Sequence, residues 1–228
     1  MKILSNFIFP PLCLHCAEKT NEGHLLFCKG CVGFFELIDP HSRCPYCFTE
    51  NEGRHPCQEC VQKRRWQVKM ASALDYLGAV SSLVKQLKYG RMPYLAKTCS
   101  DFLVAQFFRL EWPMPDLIVP VPGRYLFHGI NHAYRLGQCL AKILNVPYSS
   151  ILKRKAGDLS QARLSKEQRE SLSPASFYLK KTAHLADQCI LLVDDVITTG
   201  TTLRLCAGAL SEGYPAKIYA LSLARSVG

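Results

Sequence analysis

The chain reads as a mainly parallel α/β sheet with flanking helices, preceded by a small cysteine-rich unit. Three observations predict this. Eight of its twelve cysteines fall in four Cys-x-x-Cys pairs before residue 61. From residue 70 onward, short apolar runs of strand character alternate with segments of helical period, the pattern of parallel strands linked by crossover helices. One strand-to-helix turn, residues 189–202, carries two adjacent carboxylates and then a hydroxyl-rich loop with a single glycine.

The elements follow in order. Residues 70–77 predict a strand and 79–89 an amphipathic helix. Residues 92–110 predict a longer helix, with Leu95, Cys99, Phe102, Leu103 and residues 106–110 on its apolar stripe. A short buried strand is expected at 116–121, cut off by Pro120 and Pro122. Ala133, Leu136, Leu140 and Leu144 recur at helical spacing within 131–145. Strands are predicted at 148–152 and 188–193, a helix at 203–212 and a last strand at 216–224. Ligands of such sheets bind outside the carboxyl ends of the strands, where residues 194 and 195 fall.

The cysteine pairs are Cys13/Cys16, Cys28/Cys31, Cys44/Cys47 and Cys57/Cys60. Each has the spacing of a knuckle that aims two thiolates at one tetrahedral ion, so four pairs make two Cys₄ zinc sites. Sharing between neighbouring pairs (first with second, third with fourth) is the simpler arrangement; interleaved cross-brace sharing stays open. Disulfides need an oxidising compartment, yet residues 1–11 hold one lysine and too short an apolar run for a secretory leader. A redox dithiol motif occurs once beside a βαβ unit, not four times in a row. With every position a thiolate, the two zincs are structural. Cys99, Cys139, Cys189 and Cys206 read as small buried hydrophobes. His15, His24, His41 and His55 read as surface residues of the ribbon, not as spare ligands.

The first ~65 residues bury too little surface to be stable without metal, and the remaining ~160 suffice for a core of their own. A boundary is expected at the basic junction of Lys63, Arg64 and Arg65, giving a cysteine-rich unit over 1–65 and an α/β domain over 66–228. No apolar stretch is long enough to span a bilayer, so at most a peripheral membrane association is expected. The net charge of +10 favours polyanionic partners, nucleic acid first and anionic membrane second.

The turn at 189–202 carries the chemistry. A helix N-terminus, its dipole and threonine hydroxyls all favour a phosphate on Thr198, Thr199, Gly200, Thr201 and Thr202. Gly200 lets the main chain approach closely. Asp194 and Asp195 suit sugar hydroxyls, directly or through a hard cation such as magnesium. The stretch resembles the 5-phosphoribosyl-1-pyrophosphate (PRPP) signature of type I phosphoribosyltransferases. That resemblance implies that Asp194 and Asp195 are the catalytic acids holding the ribose, and that residues 198–202 take the 5′-phosphate.

Further segments resemble the ComF/GntX family in particular: Leu87-Lys88-Tyr89, Val119-Pro120-Val121-Pro122, and the spaced set Arg154, Gln161, Arg169 and Phe177. Members place a multi-cysteine ribbon before a phosphoribosyltransferase-like domain. The likeness covers essentially the whole chain. It implies a bacterial cytoplasmic protein that handles incoming single-stranded DNA in competent species, next to DNA-translocation proteins, or that serves the use of DNA as a nutrient. It leaves open whether the protein is an active phosphoribosyltransferase on an unidentified acceptor. The ribbon occupies the place of a nucleobase-selective hood, which tilts the reading toward DNA handling.

One departure stands out. Where the family carries Arg-Gly-Phe-Asn-Gln, this chain has His128-Gly129-Ile130-Asn131-His132. Histidine is largely neutral at pH 7 and cannot clamp phosphate as arginine does. Pyrophosphate binding is therefore expected to be weaker and more pH-dependent, with Lys88, Arg124, Gly129 and Asn131 as the candidates on that side. Residues 153–181 hold eight Lys/Arg against three acids and are expected to be largely loop. By resemblance this is the flexible loop that closes over PRPP, with Arg154, Gln161, Arg163 and Arg169 in it. A solvated basic surface and a track for nucleic-acid backbone remain as alternatives, with Lys63, Arg64, Arg65, Trp66 and Tyr89 as cations beside rings.

Overall fold

The computed structural model describes residues 11–20, 26–53, 55–65, 67–90, 92, 94–123, 131–155, 176–180 and 184–226. In chain order the elements are α1 (Lys29–Val32), α2 (Gln58–Gln62), β1 (Lys69–Asp75), α3 (Gly78–Tyr89), α4 (Leu95–Arg109), β2 (Leu117–Pro120), α5 (His132–Leu144), β3 (Leu152–Arg154), β4 (Phe177–Leu179), β5 (Cys189–Ile197), α6 (Thr201–Ser211) and β6 (Lys217–Arg225).

Four strands form an all-parallel sheet in the order β1-β6-β5-β2. Strand alternation divides the core between its two faces. Leu191, Val193, Leu221 and Leu223 pack with α3, α4 and α5 in one apolar cluster. Ile190, Leu192, Ile218 and Ala220 pack with Leu203, Cys206 and Leu210 of α6 in the other. The predicted α/β class is therefore present, with helices on both faces.

Several boundaries differ from expectation, for physical reasons. The strand expected at 148–152 is a single parallel bridge of Tyr148 to Ile118. The chain then leaves the sheet, and Leu152–Arg154 pairs antiparallel with Phe177–Leu179 as a separate ribbon. The basic segment is thus anchored by strands at both ends; its residues 156–175 lie outside those described. α6 begins at Thr201, two residues early, because Gly200 turns the chain into the helix from the left-handed region (φ 73°). Among the four cysteines outside the ribbon, Cys99, Cys189 and Cys206 are buried, while Cys139 is only partly so.

The cysteine-rich segment lies against the free edge of β1. Ile38 N–H donates to Ala73 O (2.9 Å), and Met70 N–H donates to Tyr46 O (3.1 Å). These bonds cover a sheet edge that would otherwise expose unpaired backbone groups. Phe27, Cys28, Cys31, Ile38 and Phe48 belong to the same apolar cluster as α3 and α4. Phe35 bridges the units through rings, 4.9 Å from Phe27 and 5.9 Å from Phe102. Arg43 pairs with Asp75 at 3.0 Å, and Gln106 donates to Ile38 O at 2.9 Å.

The tightest joint is at Gly78, which starts α3 with φ 44°. A Cβ there would collide with the Phe34 ring. Gly78→Ala is expected to lower stability by about 2–3 kcal/mol, through overpacking and a strained φ, read as a drop in the urea midpoint with unchanged slope. A midpoint equal to that of the parent would disprove the joint.

Candidate functional site

β5 outruns its neighbour on one side. Its pairing with β2 ends where Val121 N–H donates to Val193 O at 2.9 Å. On the other side β6 continues through Asp194↔Ser222, Val196↔Ala224 and Ile197↔Arg225. Both acids therefore lie within the strand rather than after it, on a ledge at its carboxyl end.

Successive side chains on a strand point to opposite faces, so the two acids have different surroundings. Asp195 faces α3 and pairs with Lys88, Oδ1 to Nζ 2.9 Å. Burial works against the Lys88 charge, yet the Asp195 and Asp194 carboxylates hold its pKa above the ordinary value. Asp194 follows Ile190 and Leu192 toward α6, and its charge raises the buried Cys206 thiol, second to burial itself. Burial pushes the Asp194 carboxyl up to about 8, with the Asp195 charge adding to it; a hydrogen bond from Asp195 N–H (2.8 Å) and Lys88 pull the other way. Burial thus favours the protonated form of Asp194 in the free protein.

His132, at the start of α5, completes this wall. Burial lowers its pKa, with Asp195 opposing and Lys88 assisting. Its buried Nδ1 has no hydrogen-bond partner among the described residues. Asn131, expected on the pyrophosphate side, is used otherwise. Its Oδ1 accepts from Ala133 N–H (3.0 Å), and its Nδ2 donates to Val121 O (2.9 Å). That cap starts α5 and fastens it to the end of β2. Arg124 and Gly129 lie outside the described residues, as do His128, Trp66, Gln161, Arg163 and Arg169. Arg154 is not in a loop: it sits on β3 with its guanidinium 5.4 Å from the centre of the Phe177 ring.

The hydroxyl-rich loop has the shape its sequence suggests. Thr199 and Thr201 hydroxyls lie 2.9 Å apart, and Thr201 N–H reaches Thr199 Oγ1 at 3.4 Å. α6 has no acid in its first turn and no side-chain cap, leaving its leading amides for an anion. Arg204, which sequence reasoning missed, donates from Nη2 to Thr199 O at 2.7 Å. Its signal was a cation within a turn of a helix start, where an acid is usual.

The eight cysteines gather into two groups: Cys13, Cys16, Cys28 and Cys31, then Cys44, Cys47, Cys57 and Cys60, each with all sulfurs within 4.8 Å of one another. Neighbouring pairs share a group, and the interleaved alternative is ruled out. The Cys16–Cys28 and Cys47–Cys57 sulfur separations are both 3.6 Å, close to the ~3.8 Å of a tetrahedron with ~2.3 Å zinc–sulfur bonds. Cys57 N–H points at Cys44 Sγ (3.3 Å), a bond that supports a thiolate. Each group can hold one zinc ion. The Cys44 thiol is pushed up to about 12 by its contact with Cys47 and by burial. None of the ribbon histidines that are described joins a cluster: His15 packs on Phe34 and meets Ser82 Oγ at 3.1 Å, and His55 meets Asn51.

A parallel sheet with a paired-acid ledge, a phosphate-type loop opening the next helix and two Cys₄ groups defines a phosphoribosyltransferase-type protein with an N-terminal cysteine ribbon. Residues 130–226 match the family model of the phosphoribosyl transferase domain. The resemblance to the ComF/GntX family extends to named relatives over nearly the full chain. The chain is similar to DNA utilization protein YhgH of Escherichia coli K12, 28% identical over 96% of this chain and 98% of that one. It is equally similar to competence protein F of Haemophilus influenzae, 28% identical over 94% and 96%. With competence protein ComFC of Streptococcus pneumoniae it shares 25% identity over 87% of both chains. Among solved structures, adenine phosphoribosyltransferase from Thermoanaerobacter pseudethanolicus aligns with a TM-score of 0.39 and 17% identity, over 65% of this chain and 87% of that one.

The raised Asp194 pKa has a definite sign. A carboxyl whose pKa rises on folding favours the folded state at low pH and weakens it as pH climbs through the folded value. Stability of the ligand-free protein is expected to fall between about pH 4 and about 8 from this group, and Asp194→Asn should flatten that part of the profile. Thermal unfolding across that range checks it. Identical profiles for the two proteins would count against a protonated Asp194.

Proposed function

We propose that the protein binds a phosphoribosyl ligand of the PRPP class, with magnesium, at the carboxyl end of β5, and that this pocket serves the handling of single-stranded DNA during its uptake or utilization. The observation that carries the reading is the Asp195–Lys88 pair beside the Gly200 loop, on one ledge of the central strand. Residues 198–202 take the 5′-phosphate on amides and hydroxyls, and Asp195 and Asp194 accept from the ribose hydroxyls. Binding a diol there moves the proton off Asp194, and Lys88 is released toward the pyrophosphate side. Magnesium, when bound, neutralises the diphosphate. The names of the curated relatives, a competence protein and DNA utilization proteins, support the DNA half of the reading. So does the charge of +10.

In the same reading both cysteine groups hold structural zinc, residues 1–65 and 66–228 are the two units, and the protein works in the cytoplasm, where its thiols stay reduced. Among the described residues no helix is long and apolar enough to cross a membrane, so contact with a translocation machine is peripheral. A second reading, an active transferase, is favoured by one feature. The Asp195 carboxylate, held by Lys88 at 2.9 Å, is of the sign that stabilises the positive character developing as pyrophosphate leaves the anomeric carbon.

A thermal-shift titration tests both halves of the first reading. PRPP with magnesium should raise the melting temperature, and Asp195→Asn should weaken binding by about tenfold or more, the worth of a charged hydrogen bond. A short single-stranded oligonucleotide should bind with a steep salt dependence, lessened by substituting Lys153, Lys155, Lys166 and Arg169. Absence of any shift with PRPP removes the pocket reading; indifference to DNA at low salt removes the other half. Metal analysis is expected to return about two zincs per chain. A folded, metal-free preparation would refute the ribbon assignment.

A further inference from the structure

The back of the phosphate loop leads directly into the second cysteine group. Besides its 2.7 Å bond to Thr199 O, Arg204 brings Nη2 within 3.5 Å of Thr201 Oγ1. Its Nη1 is buried with no partner among the described residues. A Cβ on Gly200 would lie 2.8 Å from Met70 Sδ and 3.1 Å from Arg204 Nη1, so these two side chains form the rear wall of the turn. Met70 N–H in turn donates to Tyr46 O, inside the Cys44-Pro-Tyr-Cys47 knuckle, at 3.1 Å.

A second tie runs alongside. Arg225 donates from Nη1 to Cys47 O (2.6 Å) and from Nη2 to Thr49 Oγ1 (2.7 Å). Arg225 is registered beside Ile197, and Ser226 N–H donates to Ile197 O at 2.8 Å. The knuckle therefore grips the last residues of β6 and, through them, the start of the phosphate loop. Arg204 also lies in the field of this group. Burial and Arg65 lower its pKa, while Cys60, Glu59 and Cys47 oppose them. Arg65 is itself paired with Glu59 at 3.0 Å.

The peptide plane makes the Arg204 bond consequential. Across a trans peptide, C=O and N–H point in opposite directions. Holding Thr199 O backward turns Gly200 N–H forward, toward the anion. A Cys₄ group filled by a divalent ion carries a net charge of about −2, which repels phosphate unless a cation stands between them. We propose that Arg204 is a positioning residue that holds the phosphate loop open from behind and couples it to the second cysteine group, so that the metal state of that group sets affinity for the 5′-phosphate. The inference rests on the phosphosugar reading above. By linkage, the coupling runs both ways: ligand tightens metal binding by the factor that metal strengthens ligand binding.

The test uses full-length protein, titrated calorimetrically with ribose 5-phosphate and with PRPP and magnesium, and a chromophoric chelator to follow zinc release. Arg204→Ala is expected to weaken ribose 5-phosphate about tenfold while keeping both zincs. In the parent, saturating ribose 5-phosphate should slow release of one of the two zincs; in Arg204→Ala it should not. If Arg204→Ala fails to fold, Arg204→Lys serves, since it keeps the charge but cannot present the guanidinium fork. Parent binding with an unaffected Arg204 variant, or zinc release indifferent to ligand, overturns the coupling. Failure of the parent itself to bind either ligand instead overturns the phosphosugar reading beneath it.

Discussion

The site depends on an inequality between strands. β6 accompanies β5 as far as Ile197, whereas β2 stops at Val121, and the Pro122 that follows cannot extend the ladder as a donor. The last residues of β5 are therefore held rigidly on one side and open on the other. An acid on such a ledge keeps a fixed position without being covered. Had β2 continued, the backbone at residues 194–197 would be paired on both sides and the ledge closed. Had β6 stopped too, the acids would sit on a mobile loop, and the phosphate loop would lose its anchor at Ile197.

The same strand geometry makes the two acids unequal. Adjacent residues on a strand must diverge, so one carboxylate meets the cation of α3 and the other is left against α6 with Cys206 behind it. Burial on the α6 side raises the pKa of Asp194, so environment alone sets its protonation. Lys88 prevents the ledge from becoming a site of bare negative charge, which would repel a polyphosphate. A ligand that supplies both hydroxyl donors and its own divalent cation can satisfy all three groups, and an uncompensated anion cannot.

The fold class was legible because both periods are clear: the β-branched and leucine runs at 190–193 and 217–224, and the 3.6-residue stripes of α3, α4 and α5. The cysteine groups were legible from spacing, although pairing between knuckles needed coordinates. What sequence could not show were relations set by tertiary partners. Asn131 looks like a loop ligand but caps α5, since a capping residue and a ligand use the same side-chain atoms. Residues 148–152 have strand composition, yet a single bridge at Tyr148 joins them to β2 before the chain turns to meet Phe177. Arg154 belongs to a basic run by composition and to a strand by pairing. Arg204 hid inside an apolar helix, where its role is defined by the carbonyl it reaches rather than by its neighbours in the chain.

The cysteine-rich segment covers the edge of the α/β domain. A segment of ~65 residues buries too little to stand alone, and its described residues pack along the β1 edge. Its first group packs where α3 begins, through Phe34 against Gly78 and His15 against Ser82. Its second group packs where β1 and β6 end, through Arg43–Asp75 and Arg225–Cys47. These contacts flank the two elements that deliver the charged groups of the site: α3, which carries Lys88, and the β5–β6 extension, which carries the acids. The described residues of the ribbon thus occupy positions from which they can fix the geometry of the site.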